Sequence, residues 1–203
     1  MGHVIRAGLV GLVLASAVAA SASAQDVSAS LRSGRIESST REVRGNDIRS
    51  GRAIVLVNAP LEAVMREVTD YGRYRDFMPR FRQSRAISGR GANRRVYMQV
   101  TILGGRAEIW ALTRFFQRAP RGETRIIEGQ MVEGNVDGLW ARWELTPVDE
   151  GARTLVSFEM FVDPSFPAPS SLVTSENERW AARAARALRT RVQRRLTAQA
   201  SAN

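Results

Sequence analysis

The sequence predicts an α+β domain, in which a curved antiparallel sheet of about six or seven strands wraps around one long C-terminal helix. Three observations predict it. Residues 83–162 hold short apolar-alternating runs separated by turn residues, which reads as an antiparallel meander. One β-rich run precedes them, followed by a short amphipathic helix. A final stretch, residues 171–198, has helical periodicity and no proline or glycine.

The elements follow in order. Residues 1–6 carry positive charge, residues 7–20 are a short apolar run, and Ala22-Ser23-Ala24 is the small-x-small pattern of a signal-peptidase site. The expectation is a signal peptide over 1–24, cleaved after Ala24, and a periplasmic or secreted mature chain beginning at Gln25. The run is short and rich in Ala, Ser and Gly for a membrane span, and no cysteine follows that could carry a lipid. Residues 25–50 are polar, with Val27, Leu31, Ile36, Val43 and Ile48 as isolated apolar points. They read as an N-terminal extension with a strand or hairpin near 31–42.

The main domain is expected over 51–198, with a disordered tail at 199–203. Residues 53–57 (AIVLV) are apolar on both faces, as in a central strand. Asn58 and Pro60 are suited to open a helix, and Leu61, Val64, Met65 and Val68 form its apolar stripe. A second helical turn spans 74–77. In the meander, Val96, Met98, Val100 and Ile102 alternate with Tyr97, Gln99 and Thr101, and Gly104-Gly105 turns the chain into 107–116. Pro164, Pro167 and Pro169 end the sheet. The last helix carries Trp180, Ala184, Leu188, Val192 and Leu196 on one face, with most of its arginines off it.

Composition narrows the chemistry. The single histidine is His3, inside the expected signal, and there is no cysteine or lysine anywhere in the chain. Imidazole or thiolate metal sites, Ser-His-Asp and Cys-His nucleophiles and lysine Schiff bases are therefore not available to the mature chain. No cofactor is expected. The net charge of +10 comes from arginine alone, beside abundant alanine and glycine, as a GC-rich coding bias produces. Nucleic acid is not expected as a partner of an exported protein.

Several stretches carry a family resemblance. Residues 59–64 (APLEAV), then Thr69-Asp70-Tyr71, Tyr74, Phe77, Met78 and Pro79, resemble the opening of the START-related polyketide cyclase/dehydrase and lipid-transport (SRPBCC) superfamily. Residues 143–147 (WELTP), Gly151, Thr154 and Asp163-Pro164 agree with it. The resemblance covers roughly residues 49–194 and is nearest to the branch related to coenzyme Q-binding proteins. It implies a helix-grip fold, with lipids, quinones, sterols or polyketides bound under the long helix in most members and catalysis in a minority.

The leading expectation is an exported binding or carrier protein for a hydrophobic small molecule or lipid. Its apolar cavity wall is expected from Met98, Val100, Ile109, Ala111, Trp143, Phe158, Met160, Trp180 and Leu188. Tyr97, Gln99 and Arg142 are polar candidates, although Arg142 and Glu144 also suit a surface salt bridge. No catalytic or metal-ligating residue is assigned. The alternatives are a cyclase- or dehydratase-like enzyme using a cavity carboxylate (Glu108, Glu159) with tyrosine, and an envelope interaction module with a filled cavity. The aromatics of residues 70–79 read first as packing of the small helices onto the sheet, with a place at the cavity mouth as the functional alternative. The arginines from Arg73 to Arg95 read as a solvated face that could also meet anionic lipid headgroups.

Overall fold

The computed structural model describes residues 27–201, so the expected signal segment lies outside the described residues. The chain runs α1 (Ala29–Arg32), β1 (Glu37–Val43), β2 (Asn46–Val57), α2 (Leu61–Thr69), a 3-10 turn (Tyr71–Arg73) and α3 (Tyr74–Phe77). It continues β3 (Phe81–Arg90), β4 (Asn93–Ile102), β5 (Ala107–Gln117), β6 (Arg125–Gly134), β7 (Val136–Val148), β8 (Arg153–Pro164) and α4 (Ser170–Ala200). The strands form one antiparallel sheet of eight, in the order β1-β2-β8-β7-β6-β5-β4-β3. The first long strand thus pairs with the last, and α4 returns across the concave face of the sheet.

Three expectations need correction. The strand count rises to eight because the polar segment before residue 51 supplies β1 and the start of β2, with Thr40 paired to Gly51. The expected boundary at residue 51 therefore falls inside a strand. At the other end the helix persists through Ala200, since neither proline nor glycine stops it, so the expected tail begins as helix. In α2, Pro60 itself occupies the N-cap position and no side chain caps the helix, which leaves Asn58 without the capping role.

The position of α4 is set by small residues and three hydrogen bonds. A Cβ placed on Gly51 would lie 2.1 Å from the carbonyl oxygen of Asn177, so the helix backbone rests directly on β2 at that point. Beside it, the Arg49 N–H donates to Thr174 Oγ1 (3.0 Å), and Asn177 Nδ2 donates to the carbonyls of Arg49 (3.1 Å) and Val162 (3.3 Å). Ala181, Ala184 and Ala185 are buried along the helix that follows, and short side chains let a helix approach a sheet closely. Farther on, Arg191 and Arg195 reach Glu67 of α2 at 3.0 and 3.5 Å.

The sheet bends away from this line of contact. A bulge interrupts the β5–β6 register between Leu112 and Thr113, and bulges increase local bend and twist. One strand over, Gly129 sits opposite Phe115, whose ring covers it; a Cβ there would come within 2.6 Å of the ring. The helix is thus drawn close over β2 while β4 and β5 curve off. A gap between sheet and helix follows from that asymmetry.

Replacing Gly51 by alanine should therefore destabilise the protein by about 1–3 kcal/mol, because the carbonyl it meets belongs to a helix backbone. Gly72→Ala, with nothing within 4 Å of its added carbon, should stay within about 0.5 kcal/mol of the parent. Urea unfolding of the two variants measures the difference.

Candidate functional site

The gap is a cavity with a nearly continuous apolar wall. From β4 and β5 come Met98, Val100, Ile102, Ile109 and Phe115, inward positions of two paired strands. From β7 and β8 come Trp143, Phe158, Met160 and Val162; Trp143 and Phe158 are cross-strand partners stacked at 4.0 Å. The α3 region closes one side with Tyr74, Met78 and Phe81, and α4 roofs it with Val173, Glu176, Asn177, Trp180 and Ala184. The void measures about 120 Å³. An apolar cavity of about 150 Å³ accepts benzene, whereas sites for drug-sized ligands hold about 300–1,000 Å³. As it stands, the space fits a ring or a short chain. Three of its wall residues are methionines, whose unbranched side chains re-pack readily.

Of the apolar positions expected from the sequence, Met98, Val100, Ile109, Trp143, Phe158, Met160 and Trp180 line this cavity. Ala111 and Leu188 do not. Ala111 is buried on the inward face of β5, but its methyl is too short to reach the gap. Leu188 lies two turns beyond Trp180, where the helix has closed onto the core cluster.

The polar candidates are all displaced. Tyr97 and Gln99 neighbour Met98 in sequence and so point to the opposite face of β4. Tyr97 stacks on Trp110 (6.1 Å between centroids) under the guanidinium of Arg85, and Gln99 Nε2 donates to Glu108 Oε1 (2.6 Å). Arg142 lies opposite Glu128 on β6 and donates to it through Nε at 2.9 Å. Burial would raise the Glu128 pKa, but the hydrogen bonds from Arg142 and Arg118 outweigh it and hold the carboxyl below its ordinary range. Glu108 and Glu159 lie off the cavity wall too, Glu159 accepting from Ser50 Oγ (2.7 Å).

Other residues belong to the site without having been singled out for it. Phe115 could have been found, because it continues the inward series Ile109, Ala111 and Thr113. Glu176 could have been found as well, since it precedes Trp180 by four residues on one helix face. Tyr74, at the start of α3, is among the aromatics of residues 70–79 whose functional alternative is a place at the cavity mouth, whereas Met78 after α3 and Phe81 at the start of β3 enter the wall from positions that no periodicity marks.

Tyr71 and Tyr74 hold this corner together. Tyr71 stacks on Phe115 (4.4 Å) and its hydroxyl donates to the Ala92 carbonyl (2.9 Å). The Tyr74 hydroxyl donates to the Val68 carbonyl (2.6 Å). Burial is the largest cause pushing both phenol pKa values up; Arg94 opposes it at Tyr71, and a hydrogen bond with Trp143 opposes it at Tyr74. Both therefore remain neutral donors at ordinary pH. Among the described residues no three His, Cys, Asp or Glu side chains come together as a metal site.

A sheet that grips one long helix over an apolar void defines a helix-grip protein. The profile of the family described as polyketide cyclase/dehydrase and lipid transport matches residues 57–189, and the chain belongs to that family. Solved structures agree in fold. A STAR-related lipid transfer protein fragment from Xanthomonas axonopodis superposes with a TM-score of 0.68 at 18% identity, covering 78% of this chain and 93% of that one. Human StAR-related lipid transfer protein 5 gives 0.66 at 15% identity, over 79% and 83%. An aromatase/cyclase from Streptomyces sp. R1128 gives 0.58 at 14% identity, over 80% and 96%. No curated protein sequence matches the chain significantly.

The buried phenols carry a pH signature. Their folded-state pKa values lie above the ordinary 10.0, so their contribution is complete below that value and is lost as pH rises toward the folded pKa. Tyr74→Phe should cost about 1 kcal/mol at neutral pH through its lost hydrogen bond. It should also flatten the fall in stability as pH rises above about 10. Urea unfolding across that range checks both.

Proposed function

We propose that the mature chain is an exported carrier that holds a hydrophobic small molecule or lipid between its sheet and α4. The observation that carries the reading is the void itself, bounded almost wholly by apolar side chains. Burying apolar ligand surface there supplies the driving force. The family description and the names of two structural neighbours, both STAR-related lipid transfer proteins, support it. Export rests on the sequence of residues 1–24. The exposed arginines Arg73, Arg75, Arg82, Arg85, Arg90 and Arg95 would add a salt-dependent attraction to anionic lipid surfaces during loading or release.

One observation favours a second reading. The void of about 120 Å³ is small for a lipid, as in an interaction module whose cavity has become filled by Trp143, Trp180 and the methionines. The carrier reading requires those methionines to turn aside as ligand enters, and their flexibility makes that inexpensive.

Native mass spectrometry of the protein purified without detergent distinguishes the two. The carrier reading expects a chain beginning at Gln25 with a bound apolar molecule, and at least about a tenfold loss of that complex in Val100→Phe, which fills the void. A full-length mass speaks against export. A mature chain that neither retains nor takes up any apolar molecule supports the filled module.

A further inference from the structure

The cavity roof contains two polar atoms that its apolar walls do not explain. Glu176 and Trp180 are one helical turn apart on the cavity-facing side of α4. Glu176 Oε1 accepts from Arg179 Nη1 at 2.7 Å, while Oε2 is buried and has no hydrogen-bond partner. The Trp180 side chain is buried, at 6% exposure, and its Nε1–H likewise has none. The neighbouring polar groups are already engaged. Asn177 Nδ2 is held by two backbone carbonyls, and the Tyr74 hydroxyl donates to Val68. An acceptor and a donor one helical turn apart in the roof of an oily chamber thus both lack partners, and buried polar groups of this kind call for them.

We propose that this pair selects ligands that end in a hydroxyl group. A hydroxyl both donates and accepts, so its O–H can serve Glu176 Oε2 while its oxygen receives the Trp180 N–H. Carboxylate, ether, ester and ammonium head groups satisfy only half of the pair. A carboxylate accepts only, and would bring negative charge against Glu176. An ether or ester carbonyl accepts from Trp180 and leaves Glu176 unserved. An ammonium donates to Glu176 but has no lone pair for the indole. The ligand class is therefore a neutral alcohol or phenol with an apolar body. This specificity rests on the carrier reading above, since it requires a ligand in the cavity.

The test compares octan-1-ol, 1-methoxyoctane and octanoate binding to the full mature chain by isothermal titration, which holds the apolar chain fixed and changes the head. The alcohol should bind about tenfold or more tightly than the ether and the carboxylate. Glu176→Gln should bring octanoate to within about threefold of octanol, because the repelling charge is gone and Arg179 is freed. Trp180→Phe should reduce the octanol advantage over the ether; the Glu176→Gln result keeps the test decisive should Trp180→Phe fold poorly. If octanol and its ether bind alike in the parent, a bound water serves the pair equally well, and the inference fails while the carrier reading stands. An octanol preference left unchanged by Glu176→Gln overturns it too. If none of the three binds, both readings fall.

Discussion

The contact of α4 with β2 at Gly51 is the constraint from which the rest of the molecule follows. A helix backbone can rest on a strand only where the strand has no side chain in the way, and the Asn177 carbonyl occupies the space a Cβ would take. The Thr174 and Asn177 hydrogen bonds hold the helix in register there, and the alanines behind it keep the approach close. Because the helix is pinned near one side of the sheet, it cannot also cover the strands that curve away. The cavity is thus a geometric remainder of the grip, lined by whatever side chains the uncovered strands direct inward.

Those side chains are large and apolar but loosely interlocked. Trp143 and Phe158 make a rigid floor by stacking, while Met78, Met98 and Met160 fill the remaining space with flexible atoms. Such a wall gains little from enclosing a void, since its lining atoms lack partners on one side. An apolar guest restores those contacts. The same logic explains the polar pair on α4, which loses less on desolvation when a guest brings its own donor and acceptor. Stability and binding therefore draw on the same surface: the gap that costs packing energy is the site that a ligand repays.

Much of this was legible in the sequence because alternation is a two-state signal. In β4 and β5 the apolar set defined the inward face, and three of its expected wall residues, Met98, Val100 and Ile109, reached the cavity. The same parity rule excludes Tyr97 and Gln99, which sit between inward neighbours, and it would have included Phe115. What the pattern could not supply was depth along an inward face: Ala111 and Leu188 face the core, yet stop short of the gap or lie beyond it. Strand number was underestimated because β1 is a polar edge strand whose side chains are half-buried or exposed, so it lacks the apolar signal of a central strand. Tyr74, Met78 and Phe81 reach the wall from the short α3 and the start of β3, stretches too short to show a period.

The central claim is that the void beneath α4 accepts an apolar guest. Methyl NMR of methionine-labelled protein titrated with octan-1-ol tests it most directly, because methionines lie both inside and outside the cavity. The account predicts saturable shifts of the Met78, Met98 and Met160 methyls, with Met65 and Met131, which do not line the void, little changed. Absence of shifts in the three cavity methionines, or shifts confined to the other two, would contradict it.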